Sequence, residues 1–281
     1  MFTSLGPGML EIVAPFEEAL DLASTNGFEG LDLPLAELLE RAARTSVQHV
    51  KDRFSAAGVR PGAWSLPVRF RGTDAEYRAG LTDLPRYAAL ARALGSTWCT
   101  TVIMPFSDEL DEAANMERHV TRLGPIARVL AKHGCRLGLE FVGPKTLRAG
   151  HAYAFISTID GALDLGRRLD AGNVGLLLDS FHWYTSHGTL EDLARLSAEQ
   201  VVYVHVNDAP AGLSIDEQID RERLLPGASG VIDIAGFMQA LRRMSYDGPV
   251  AVEPFDARVA ALPPSERARV AAESLIRIWP R

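Results

Sequence analysis

Two hydrophobic rhythms alternate along this chain. Short apolar runs, rich in Val, Leu and Phe, give way to longer stretches where apolar residues recur every three or four positions. The first rhythm fits a β-strand, the second an amphipathic helix packed on a core. Strands are predicted at residues 3–8, 28–34, 59–68, 97–105, 135–142, 174–179, 201–207 and 249–253. Helices are predicted at 15–26, 35–57, 73–94, 111–133, 159–170, 189–196, 232–244 and 265–279, with a break at Pro85. Residues 143–157 read as a loop. Glycines at 27, 58, 95 and 134 close helices just before strands. Eight strand–helix alternations predict an α/β fold, a (β/α)8 TIM barrel formed as one domain over 1–281. A long polar insert at about 208–230 follows the seventh strand. No G-x-G-x-x-G opens the first unit, so the rival doubly wound sheet lacks its phosphate loop.

Four consecutive strands end alike. CRLGLEFVGP, VGLLLDSFHW, VVYVHVNDAP and PVAVEPF each run from an apolar stretch to one chelating side chain: Glu140, Asp179, His205 and Glu253. A charged group at the end of an apolar run is costly to bury without a partner. Barrel strands present their C-terminal ends to the reaction face, and neighbouring ends lie about 4.8 Å apart. A single divalent cation would satisfy all four. Three carboxylates and one imidazole suit Mn²⁺ best, with Mg²⁺, Co²⁺ or Zn²⁺ as alternatives.

Around that end lie further candidates for substrate binding. Asn207 and Asp208 follow the histidine directly and are candidates to touch substrate or to support a metal ligand from behind, against a plain role in turn formation. Lys145 stands ready to neutralise an oxyanion or an acidic group, against a solvated loop lysine. Trp183, Tyr184 and Trp64 are candidates for the pocket wall, against core packing. His49, His119 and His133 read as solvated residues of outer helices. The insert reads as a lid or a subunit contact.

Composition narrows the class. Of 281 residues 47% are hydrophobic and 23% charged, which suits a large globular core, and the formal charge of −7 argues against a nucleic-acid partner. No stretch is long and apolar enough to span a membrane, and no basic leader opens the chain, so a cytoplasmic protein is expected. Cys99 and Cys135 lie in apolar runs and read as buried free thiols.

The segments LGLEFVGP, LLLDSFHW, VHVND, LLPGASGVIDI and VAVEPF together resemble the xylose-isomerase-like barrel superfamily, which holds sugar isomerases and epimerases, inosose dehydratase and endonuclease IV. The resemblance implies that Glu140 and Glu253 act as acid and base on a ketose or keto-sugar, through a metal-stabilised enediolate. It implies that His182, in D-x-x-H, touches substrate oxygens. It further implies a homo-oligomer. The chain departs from the ketose 3-epimerase pattern. It lacks a further glutamate in the loop after the fifth strand, where Lys145 stands, and an arginine shortly after His205. Arg221 or Arg223 in the insert, or Lys145, would have to substitute. A lyase of the same fold is therefore the alternative, either an inosose-type dehydratase or a β-eliminating deglycosidase of oxidised glycosides. Endonuclease IV chemistry needs further histidines on strands two to four, which end LDLP, WSLPV and VIMP without one.

Overall fold

In the computed structural model, which describes residues 1–280, parallel strands close into an eight-stave barrel. The staves are Phe2–Leu5, Gly30–Leu31, the pair Arg60–Pro61 and Trp64–Ser65, Trp98–Ile103, Arg136–Phe141, Val174–Asp179, Val201–Val206 and Pro249–Val252. The third stave is broken in two, and the break closes the ring. Arg60–Pro61 pairs with the second stave and Trp64–Ser65 with the fourth. Gly62 sits in the break because a Cβ there would lie 2.5 Å from Asp32 Oδ1 and Ser4 Oγ.

Helices pack around the barrel, and most of the apolar core lies between them and the staves. A second, small cluster of Ala63, Leu177, Tyr203 and Ala251 fills the barrel interior. The glycines at 27, 58, 95 and 134 all take positive φ, the left-handed conformation that ends a helix with little strain. Cys99 and Cys135 are buried and unpaired. No helix among the described residues is long and apolar enough to cross a membrane.

Several expectations need correction. The helix expected over 35–57 is two helices, Leu35–Arg44 and Val47–Ala57, because Ser46 caps the second by accepting from the His49 N–H at 3.0 Å. The break expected at Pro85 is absent, and Asp74–Leu94 is one helix. Pro85 lies on the exposed face, where water can satisfy the carbonyl it leaves unpaired. The loop 143–157 holds a helical turn, Lys145–Arg148, and a short strand, Tyr153–Ala154, paired with Phe106–Ser107. His119 is buried rather than solvated; its Nδ1–H donates to the Asn115 carbonyl at 2.8 Å, and burial lowers its pKa to about 4.

The insert is held at its base by Asp208, which is fully buried. Its carboxylate accepts from the N–H groups of Ala209, Ser229, Gly230 and Ile232 at 2.8–3.0 Å. Its backbone pairs with Leu224 in an antiparallel bridge. Asp208 is thus a staple for the insert and not the substrate contact expected. Asp208→Ala would strand four N–H groups in a dry site and is expected to cost about 3 kcal/mol of unfolding free energy. Urea denaturation reads the loss, and Asp208→Asn should recover part of it.

Candidate metal centre

Side chains on a strand alternate between its two faces, so residues two apart share one face. Leu177, Tyr203 and Ala251 form a layer of the barrel interior, and Asp179, His205 and Glu253 stand two residues further along the same staves. The next layer toward the reaction face is therefore made of chelating groups. Glu140, from the fifth stave, joins them. One ligand atom from each of Glu140, Asp179, His205 and Glu253 lies within 4.8 Å of all the others. His205 Nδ1 is 3.5 Å from Glu140, 3.8 Å from Asp179 and 3.4 Å from Glu253.

Three buried carboxylates this close repel one another, and burial favours their neutral forms. Burial, reinforced by Glu253 and Asp179 and opposed by His205, raises Glu140 to about 7. Burial likewise raises Asp179, against the pull of Arg223. Burial pushes Glu253 up as well, but His205 and Arg223 outweigh it and bring the carboxyl down to about 2. Burial would lower His205; its acidic neighbours, Glu253 first, overcome this and hold it well above the ordinary histidine value. Glu140 Oε1 and both ring nitrogens of His205 are buried without a hydrogen-bond partner. These orphaned atoms, set among three converging carboxylates and one imidazole, fit a divalent cation.

Asp179 is held twice over. Its Oδ1 accepts from the Phe181 and His182 N–H groups at 2.7 and 3.0 Å, capping the helix Ser180–Thr185. Its Oδ2 accepts from Asn207 Nδ2 and Arg223 Nη1, both at 3.0 Å. Asn207, fully buried, also takes a hydrogen bond from Ser180 Oγ at 2.7 Å. It orients a ligand of the candidate centre, one of the two roles expected for it, and does not line the cavity.

The other expected substrate contacts fall elsewhere. Lys145 is exposed and bonds Asp216 of the insert at 2.7 Å, joined there by His187 at 2.9 Å. Trp183 is buried, donates to the Thr189 carbonyl at 3.1 Å and packs on Phe237. Arg221 lies over the Phe255 ring at 4.2 Å, on the exposed side. Arg223, two residues on, is the arginine that enters: it is buried, 2.6 Å from Glu253 and 2.8 Å from Asp220. Burial opposes its charge, but Asp179 and Glu253 hold it above the ordinary arginine value. The bridge between Asp208 and Leu224 sets the phase of the segment, and sequence spacing alone does not reveal it. His182 is buried, kept neutral by burial and by Arg223, and lies 3.1 Å from Arg223 Nη2 and 3.3 Å from the Gly143 N–H. A neutral imidazole can accept from only one of these donors.

A cavity of about 660 Å³ opens beside the cluster. Glu140, His205 and Glu253 line one side; Trp64, Asp32, Tyr203, Arg71, Met9 and Leu66 belong to the rest. Trp64 walls the cavity as expected. Asp32, in the LDLP that closes the second stave, was not anticipated. It accepts from Ser4 Oγ at 2.7 Å, from the Ala63 N–H at 3.0 Å and from the Tyr203 hydroxyl. Burial raises its pKa from 3.8 to about 6, against the effect of these donors.

Two measurements follow from these charges. A metal ligand must be unprotonated, so a divalent ion entering this cluster has to displace the proton on His205 and any on Glu140. Metal titration by calorimetry in buffers of different ionisation enthalpy should show proton release, and affinity should rise from about pH 6 to about pH 8. For Asp32 the folded-state pKa is the higher one, so its contribution to stability is fully present below the unfolded value of 3.8 and lost as pH rises through about 6. Asp32→Asn should flatten that decline in a series of thermal melts against pH.

Comparison with known proteins agrees with this geometry. Residues 20–278 match the family described as Xylose isomerase-like TIM barrel. The inosose isomerase of Halalkalibacterium halodurans is 22% identical over 264 residues, covering 92% of this chain and 89% of that protein. The 3-dehydroshikimate dehydratase of Pseudomonas aeruginosa is 32% identical over 262 residues, covering 92% of this chain but 39% of that longer protein. Among solved structures, a xylose isomerase domain protein from Alicyclobacillus acidocaldarius superposes with a TM-score of 0.87 at 31% identity, covering 99% of this chain and 98% of that one. The IOLI protein, solved with a bound zinc atom, superposes with a TM-score of 0.80 at 20% identity, covering 99% and 98%. With eight staves closed into a ring and a family match over nearly the whole length, the chain belongs to the xylose isomerase-like TIM barrel family.

Proposed function

We propose that this protein is a divalent-metal-dependent isomerase or epimerase that enolises a ketose or keto-polyol. The observation that carries the proposal is the convergence of Glu140, Asp179, His205 and Glu253 beside a cavity large enough for a sugar, which Glu140, His205 and Glu253 line. These four would hold the ion, for which Mn²⁺ suits the hard donor set best; the zinc-bound IOLI structure supports a divalent ion in this fold. When bound, the ion supplies Lewis acidity toward a ketone oxygen and the negative charge that develops on it. Glu253 and Glu140 both face the cavity, so one carboxylate can take the α-hydrogen and the other can return a proton. Arg223 fixes Glu253 and Asp179 and balances part of their charge. The inosose isomerase and the ketose 3-epimerase of Arthrobacter globiformis among the relatives support an isomerising outcome.

A second reading starts with the same proton abstraction but ends in loss of a β-hydroxyl. The 32% identity to a 3-dehydroshikimate dehydratase favours it, as does the departure from the 3-epimerase pattern after the fifth strand and after His205. Product analysis separates the two: an isomer of the substrate supports the first, release of water the second. For the shared step, Glu140→Gln and Glu253→Gln should each slow exchange of the α-hydrogen with deuterated water by about a hundred-fold or more. Metal content is measured on the same samples, so that loss of the ion is told from loss of the base. Exchange at the wild-type rate in either variant would remove that residue from the acid–base role.

A further inference from the structure

Asp32 is the one carboxylate lining the cavity, among the described residues, that stands outside the metal centre. It belongs to the end of the second stave, and other staves supply its partners. Ser4 Oγ and the Ala63 N–H donate to Oδ1 at 2.7 and 3.0 Å, and the Tyr203 hydroxyl donates to Oδ2. These donors come from the first stave, the break in the third and the seventh. A carboxylate offers about four acceptor positions, two on each oxygen. Three are taken, and one on Oδ2 is left. His205 is the cation whose charge reaches Asp32, and among the described residues none stands within ion-pair distance of it.

Two glycines clear the space around this group. A Cβ at Gly62 would lie 2.5 Å from Oδ1, and a Cβ at Gly6 would lie 3.2 Å from Oδ2 and 2.8 Å from Met9 Sδ. Neither glycine takes positive φ, so room and not backbone conformation calls for them. Gly6 lines the cavity as well. A carboxylate that only tied staves together would be sealed behind side chains, whereas Asp32 is half-buried and borders the cavity. A largely desolvated carboxylate with an unused acceptor position calls for a donor.

The ring of staves decides which part of a ligand comes near. The second stave stands opposite the sixth, which carries Asp179. A substrate whose ketone lies at the Glu140–Glu253 side would therefore bring its other end toward Asp32.

We infer that Asp32 determines specificity by accepting a hydrogen bond from a substrate hydroxyl remote from the ketone, through the position on Oδ2 that Gly6 keeps open. The placement of the ketone rests on the enolisation reading, whereas the hydroxyl contact can be tested without turnover. The probes are D-fructose, D-tagatose and 2-keto-myo-inositol. Each is paired with an analogue bearing fluorine in place of the hydroxyl on the carbon farthest from the ketone. Fluorine fills nearly the same space but cannot donate. Binding to the metal-loaded protein is measured by calorimetry at pH 8, where a carboxyl with a pKa of about 6 is ionised. At least one parent should bind wild type about ten- to a hundred-fold more tightly than its fluoro analogue, the range of a charge-assisted hydrogen bond. Asp32→Asn should shrink that preference to about two-fold or less. Gly6→Ala should weaken the parent several-fold with metal content unchanged. Thermal melts of the same samples separate a lost contact from a lost fold. Equal binding within every pair, a preference that survives in Asp32→Asn, or no binding of any parent at millimolar concentration would each overturn the inference. Absence of α-hydrogen exchange in every parent, with the hydroxyl preference intact, would sink the enolisation reading and leave the Asp32 contact standing.

Discussion

Three carboxylates are crowded inside the mouth of this barrel, and most of the surrounding structure answers their mutual repulsion. Like charges a few ångströms apart in a dry environment cannot all stay ionised without positive charge among them. His205 supplies part of it from the seventh stave and Arg223 part from the insert. The unpaired atoms that remain, Glu140 Oε1 and the His205 nitrogens, mark where a cation would complete the balance. Asp179 illustrates how tightly the arrangement is fixed: one oxygen caps a helix and the other is pinned by Asn207 and Arg223. The side chain has no freedom to turn away from its neighbours.

The insert belongs to the same electrostatic problem. It is not a loose decoration, because Asp208 staples its two ends together and Thr146 bonds the Gln218 carbonyl at 2.7 Å. What it delivers is one buried guanidinium. Asp220 grips that guanidinium from outside while Asp179 and Glu253 receive it from inside. Burying an arginine is tolerable only with such full pairing. Sequence and site are thus linked through a segment with almost no regular structure, a single short turn at Ile215–Glu217.

Much of this was legible in the sequence, for physical reasons that can be named. A strand buried on both faces must be apolar, so a lone Glu, Asp or His at its end stands out, and Glu140, Asp179, His205 and Glu253 all did. Repeated strand–helix units and their closing glycines revealed the barrel. The misses share a different cause. Arg221 and Arg223 lie two residues apart on an irregular backbone, and only the bridge to Leu224 decides which points inward. Trp183 follows a strand end as a substrate contact would, yet a helical turn claims it, its indole N–H donating to the Thr189 carbonyl. Asp32 was overlooked because its second stave is short, and its partners Ser4, Ala63 and Tyr203 are distant in sequence. Helix periodicity placed His119 outside, although Phe70 and Phe155 enclose it.

The broken third stave divides the barrel into unequal parts. From the fourth stave to the eighth, ladders run three to six residue pairs, and every candidate ligand hangs from that stretch. From the first stave to the third, and across the break to the fourth, each ladder is two pairs long. That thin side furnishes Asp32, Trp64 and the segment leading to Arg71, the surfaces that face the far end of whatever occupies the cavity. Short ladders tolerate altered loops and shifted side chains at little cost to the long ones. Substitutions there could retune which molecule is accepted while the reactive apparatus stays undisturbed, a division of labour that would let one scaffold diversify its chemistry partner by partner.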